Sequence, residues 1–200
     1  MLAEADLSPV TLGRRAEIRE AALTLMADRG YHGTSMESIA RVVGIRASSL
    51  YNHIRSKHDL LVDIMVTTMK QLLSDFDATN AFGRPADRIR SAMDANVRYH
   101  ALHPRDVRIG NTEIQSLEEP DRSLVIGLRD EYAHKWRTLI EAGISEGEFS
   151  TPSARLATFA LLEMAIGVSL WYHPDGPLSL DQVTDYYCEM SVRLLGYHEG

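Results

Sequence analysis

A single cysteine, Cys188, in 200 residues leaves no partner for an intrachain disulfide and no thiolate set for a zinc cage, which points to a reducing compartment and removes the commonest structural metal sites. The first residues, Met1 to Pro9, carry Glu4 and Asp6 and no basic residue, so the basic start and apolar stretch of a secretory leader are missing and a cytoplasmic location is expected. Runs of alternating β-branched residues are scarce, which argues against sheets. There is no G-x-S-x-G elbow, no Gly-rich loop to cradle phosphate and no G-x-G-x-x-G turn, so no catalytic residue is assigned, no cofactor is expected and an enzyme reading has no motif beneath it. Only one long apolar run occurs, over residues 156–172, with Glu163 as its single charge. It is shorter than the ~20 residues of a bilayer span, and a central acid costs ~2.5–3.5 kcal/mol there, so no membrane partner is expected.

What the chain does have is enough apolar material, 44%, and few enough charges, 24%, to bury a core in one domain or in a small domain joined to a larger one. Its net charge of −7 is unevenly spread. Residues 1–60 hold eight basic and seven acidic side chains, while residues 61–200 hold 13 and 21. Within residues 29–58 the basic residues are Arg29, Arg41, Arg46, Arg55 and Lys57 and the only acid is Glu37. This asymmetry permits an N-terminal contact with nucleic acid.

Apolar residues recur at helical spacing along the whole chain, so the fold is read as all-α. A first helix over residues 11–29 buries Ile18, Ala21, Ala22, Leu25 and Met26, and Gly30 ends it. Thr34 and Glu37 have the spacing of a capping box, which starts a helix at Ser35 that Gly44 closes. Residues 44–46 separate it from a helix over 47–54, and Ser56 with Asp59 signals another start, leading into a long helix over 57–77. After a loop over 80–85, helices are expected over 86–103, 105–117, 121–145, 156–172 and 180–195. The helix over 156–172, apolar on nearly every side, is expected to be buried against two sets of neighbours. Leu180, Val183, Tyr187, Met190 and Leu194 form a seam on the last helix.

Two short helices joined by a three-residue turn, with a packing helix before and a long one after, make a helix-turn-helix. Its second helix fits a major groove about 12 Å wide while the helix before it crosses the phosphate backbone. Ala47, Ser48, Ser49, Asn52 and His53 face outward, with Leu50 and Ile54 turned to the core. Thr34 sits at a helix start, where free amides and the dipole favour a phosphate or call for a cap.

Residues 14–61 resemble the DNA-binding region of TetR-family transcriptional regulators, through Ala21, Ala22, Gly30, Thr34, Ile39, Ala40 and Gly44 and the stretch GIRASSLYNHIRSKHDLL from Gly44 to Leu61. The resemblance implies an N-terminal three-helix DNA-binding domain over 10–56. The remainder, 57–200, would be a helical-bundle domain that binds a ligand and dimerises, with 57–77 as the connecting helix. It implies a repressor, more often than an activator, that binds a palindromic double-stranded operator as a homodimer until a small-molecule effector releases it. Tyr51 and Lys57 match positions that usually grip the DNA backbone. Arg46, Ser48 and Asn52 are read as base readers, since Arg pairs with guanine and Asn with adenine at ~1–3 kcal/mol of discrimination. Two residues depart from the pattern. Arg46 stands where a Ser or Thr cap is common, and Ile54 where Phe is usual.

In the second region Tyr99, Tyr132, Trp136, Phe159, Met164 and Trp171 either fill a core or wall a pocket for an elongated apolar ligand. The stretch from Trp171 to Ser179 resembles a segment of family members that control lipid and steroid breakdown and respond to acyl-CoA thioesters. Arg98, Arg105, Arg108 and Arg155 are available for the phosphates of such a ligand. His100, His103 and Asp106 have a spacing that could present metal ligands, but Pro104 interrupts the helix between them and no metal is expected. Two other readings stay open: a DNA-binding regulator answering to a partner protein, and an all-α enzyme.

Overall fold

The computed structural model describes residues 9–79 and 82–197. Helix α1 (Pro9–Arg29) turns Ile18, Ala22, Leu25 and Met26 inward, and Gly30 follows at φ 75°. Helix α2 (Met36–Val43) is capped by Ser35 rather than Thr34. The amides of Ser35 and Ser38 each donate to the other's hydroxyl at 3.1 Å. The expected Thr34–Glu37 box does not form because Thr34 is buried and its hydroxyl donates to the Gly30 carbonyl at 3.0 Å. Gly44, at φ 74°, ends α2, and the Ile45 amide closes the turn on the Ala40 carbonyl at 3.0 Å.

Helix α3 (Ala47–Leu50) is shorter than the expected 47–54. Arg46 precedes it without a side-chain cap. Past Leu50 the chain continues with tighter bonds, the Asn52 amide to Ser49 O at 3.3 Å and the His53 amide to Leu50 O at 3.0 Å, before Ile54 returns to the core. Ser, Asn and His hold a helix weakly, and without a cap one turn is what survives. The Ser56 hydroxyl accepts from the Asp59 amide at 3.0 Å and starts α4 (Lys57–Thr79).

Two cores divide α4 between them. Leu60, Leu61, Ile64 and Met65 pack with Ile18, Ile39 and Leu50, whereas Met69, Leu72, Leu73 and Phe76 belong to a second, larger core. Helix α5 (Pro85–Leu102) runs through that second core against α4, α7 (Asp121–Ser145), α8 (Ala154–Trp171) and α9 (Leu180–Leu194). Between α5 and α7 the chain returns to the N-terminal part as α6 (Pro104–Thr112) and a 3-10 turn, Ile114–Ser116. The single helix expected over 105–117 breaks there because Gly110, Asn111 and Thr112 are weak helix formers. Helix α6 packs on α1, α4 and α8, and Ile109, Leu117 and Val125 complete the N-terminal core.

Among the described residues there is no strand. The expectation for α8 needs correcting. Ala157, Thr158, Leu161, Ala165 and Val168 form one buried stripe, while Leu156, Phe159, Leu170 and Trp171 stay exposed. A stripe of that kind covers one set of neighbours within the chain and leaves an apolar outer face.

Candidate DNA-reading turn and ligand cavity

The surface past α2 is built by the short α3 and the turn after it. Leu50 and Ile54 anchor it in the N-terminal core, so the positions between them must point away. Arg46, Ser48, Tyr51 and Asn52 are exposed, and Ala47, Ser49 and His53 are half-buried. No ion pair engages Arg41 or Arg46 among the described residues, while Arg55 pairs with Asp59 at 3.2 Å. Free guanidiniums beside small polar side chains suit base edges and phosphates.

Two residues expected at this surface are turned inward. The Lys57 ammonium donates to the carbonyls of Tyr31 and Thr34, each at 2.8 Å, and lies 4.1 Å from the centre of the Tyr31 ring. Thr34 is buried beneath it. Both therefore brace the loop between α1 and α2, and neither its hydroxyl nor most of the ammonium's donor capacity is left for a phosphate. Ser35, exposed, is the hydroxyl at the start of α2.

The same loop is held from the other domain. The Tyr31 amide donates to Glu113 Oε1 at 3.0 Å, just past α6. At the opposite end of α6 Asp106 accepts from Arg19 at 3.4 Å, and Arg105 pairs with Glu20 at 2.7 Å. His58 Nε2 lies 3.0 Å from Asp121 at the start of α7.

Helices α4 to α8 line a cavity of about 330 Å³ that opens to solvent beside the exposed Asp130, Phe159 and Glu163. Its walls are largely apolar, with Met65, Met69, Leu72, Val107, Val125, Tyr132, Phe159, Leu162 and Ile166; Thr68, His100, Asn111, Arg129, Asp130 and Glu163 add polar groups. The buried His100 has Nδ1 at 2.7 Å from the Asn96 carbonyl, which places a proton on Nδ1 and leaves Nε2 unprotonated. Burial pushes its pKa down, so the ring is neutral. Arg129 Nη2 donates to the Gly110 carbonyl of α6. Burial lowers the Arg129 pKa as well.

Of the six side chains considered for a pocket, Tyr132 and Phe159 line this cavity. Trp136 is fully buried, 5.5 Å from Phe76 and 6.3 Å from Tyr132 between ring centres. Tyr99 faces a different groove of about 630 Å³ between α1, α4, α5 and α6, against His103 at 4.6 Å. That groove is larger but polar, and Arg19, Arg98 and Arg105 along it are already paired with acids. Met164 and Trp171 line neither space. His100 is buried and His103 exposed, and among the described residues no three metal-ligating side chains gather.

Arg129 and His100 were not singled out from the sequence for ligand binding, although a signal exists. On α7, Val125, Arg129, Tyr132 and Trp136 follow one another at four-, three- and four-residue intervals, so the arginine shares the inward stripe. His100 likewise follows Met93 and Val97 on α5.

Residues 18–64 match the tetR family of bacterial regulatory proteins, and residues 83–195 match the tetracyclin repressor-like C-terminal domain. The chain is 29% identical over 187 residues to the HTH-type transcriptional repressor KstR2 of Rhodococcus jostii (strain RHA1), covering 88% of this chain and 87% of that one. Its fold matches the ketosteroid transcriptional regulator KstR2 of Mycobacterium tuberculosis with a TM-score of 0.85 at 25% identity, covering 94% of this chain and 96% of the other. It also matches AibR in complex with isovaleryl coenzyme A and operator DNA, with a TM-score of 0.81 at 26% identity over 92% and 100% of the two chains. An N-terminal helix-turn-helix, a connecting helix with a foot in each core and a larger helical domain around a cavity agree with both matched regions: the chain belongs to the TetR family of bacterial transcriptional regulators.

Proposed function

We propose that this regulator is a cytoplasmic, dimeric repressor that covers a palindromic operator and leaves it when a small molecule fills the cavity among α4–α8. The observation that carries the reading is the double attachment of α6, which lines the cavity with Val107, Gly110 and Asn111 and is tied to the DNA-binding part by Asp106 and, just past its end, by Glu113. A ligand that alters α6 therefore acts on the recognition turn. A shift of ~1–3 kcal/mol, 5- to 150-fold in operator affinity, suffices for release.

The proposed DNA-binding domain spans residues 10–56 and the ligand-binding and dimerising domain 57–200, with 57–77 joining them. Arg46, Ser48 and Asn52 read bases, Tyr51 grips the backbone, and Ala47, Ser49 and His53 flank them. Thr34 and Lys57 support this surface from behind. One turn of helix reads few base pairs, so two copies on related half-sites are needed. The exposed apolar side chains of α8 and α9, among them Leu170, Trp171, Tyr186 and Met190, supply a surface for the second copy.

The effector is proposed to be an acyl-CoA thioester, with Tyr132 and Phe159 along its acyl chain. Support comes from the apolar walls of the cavity, from the Trp171–Ser179 segment and from the ligand crystallised with AibR. Gel-shift titration on the DNA upstream of the chain's own gene should give a palindrome-dependent complex that weakens steeply with salt and dissolves on adding acyl-CoA. Tyr51→Ala should weaken all sequences alike, whereas Arg46→Ala and Asn52→Ala should each relax preference at one position. A complex indifferent to every acyl-CoA would point to control by a partner protein, and no complex at all would reject the reading.

A further inference from the structure

Arg129 is the only arginine or lysine among the residues lining the α4–α8 cavity. It is half-buried, and among the described residues no carboxylate pairs with it; Asp130 and Glu163 line the same cavity without doing so. Among the described residues its one hydrogen bond goes to a neutral acceptor, the Gly110 carbonyl. A guanidinium carries five donors in a planar fork, and in a largely apolar space an unanswered cation favours an oxygen-rich partner over a single peptide carbonyl. The acceptor belongs to α6, three residues before Glu113, whose carboxylate holds the Tyr31 amide.

We infer that Arg129 is the receptor for the anionic head of the effector, a carboxylate or phosphate, and that it takes this group by giving up Gly110. Occupation thereby frees the α6 backbone, and Glu113 passes the change to the α1–α2 loop. The inference deepens the proposed function and rests on the cavity being the effector site.

Calorimetry on the full chain with octanoyl-CoA, free coenzyme A and octanoate separates the sources of the oxygen. Binding of octanoate assigns a carboxylate, and binding of coenzyme A, or of octanoyl-CoA alone, assigns a phosphate. Arg129→Met should weaken the tightest of the three at least tenfold, and Arg129→Lys, which keeps the charge without the fork, by less. Glu113→Gln should leave that affinity within twofold while reducing the ligand's effect on operator binding at least fivefold. Circular dichroism and Tm establish that each variant is folded, and if Arg129→Met does not fold, Arg129→Lys and Arg129→Gln decide. Folded Arg129 variants that bind like the wild type overturn the receptor role. A Glu113→Gln protein released as readily as the wild type overturns the route. Failure of the wild type to bind any of the three removes the effector reading of the cavity, and the inference with it.

Discussion

Lys57 and Tyr31 are joined twice. The ammonium donates to the tyrosine's carbonyl at 2.8 Å and lies 4.1 Å from the centre of its ring. Since Lys57 opens α4 directly after the recognition turn and the Tyr31 amide donates to Glu113, the pair sits where the two domains meet.

That placement sets a prediction for Lys57→Met. Losing two bonds from a charged donor in a half-buried setting should cost about 1–3 kcal/mol of stability, read from urea denaturation. A lysine gripping a phosphate would, when removed, lower the slope of log affinity against log salt by ~0.9. Because the ammonium is engaged inside the protein, the slope should stay unchanged while operator affinity falls. A reduced slope with unaltered stability would show that Lys57 works on DNA directly.

Much of this arrangement was legible in the sequence, and what was not has physical causes. Glycine caps, the Ser56–Asp59 start and the inward stripes give the helix order because each is decided within a few residues. The capping box was misread because Thr34 and Ser35 are both hydroxyl residues, and only the packing of α1 against α2 determines which is buried. The length of α3 was overestimated since apolar spacing continues to Ile54 although the backbone has already tightened. Lys57 was assigned to phosphate through resemblance, and its inward carbonyls lie some 23 and 26 residues away in sequence. The cavity was legible only in part, for a related reason. Tyr132, Trp136 and Tyr99 look alike as aromatics on helices, but five helices must be placed before one proves to be a wall, one core and one part of another groove.

Close packing at a helix end gives a second prediction. A Cβ on Gly143 would overlap two ring carbons of the buried Phe149. Gly143→Ala should displace that ring and destabilise the larger core by about 1–3 kcal/mol. On the same helix Gly127 is exposed and a Cβ there meets nothing within 4 Å. Gly127→Ala should therefore raise stability by ~0.5–1 kcal/mol. Thermal unfolding of both variants checks the contrast, and equal effects would contradict it.

His100 predicts a pH dependence. Its folded pKa lies below the ordinary ~6.5 because burial disfavours the imidazolium, although the bond to the Asn96 carbonyl opposes this. Near and below ~6.5 the unfolded chain therefore binds more protons than the folded one. Its contribution is present above that pH and is lost as pH falls through the folded value. Urea denaturation from about pH 8 to pH 5 should show this loss in the wild type and a shallower one in His100→Gln. Identical pH profiles would mean that His100 does not titrate on unfolding.

The apolar outer face of α8 and α9 gives the last prediction. Leu170 is 80% exposed and Tyr186 73% exposed within the chain, so a charge at either site leaves the core of one protomer untouched. If these helices meet their copies in the dimer, Leu170→Glu and Tyr186→Glu bury uncompensated carboxylates at an interface that has to exclude water. Sedimentation velocity should then find monomers at micromolar concentration, with the helical signal in circular dichroism retained. Operator affinity should fall at least a hundredfold, because a lone recognition turn gains nothing from the second half-site. Dimers that persist in both variants would move the interface off this face, since a surface centred on α8 and α9 has no other way to accommodate two opposed glutamates brought together by the two-fold axis.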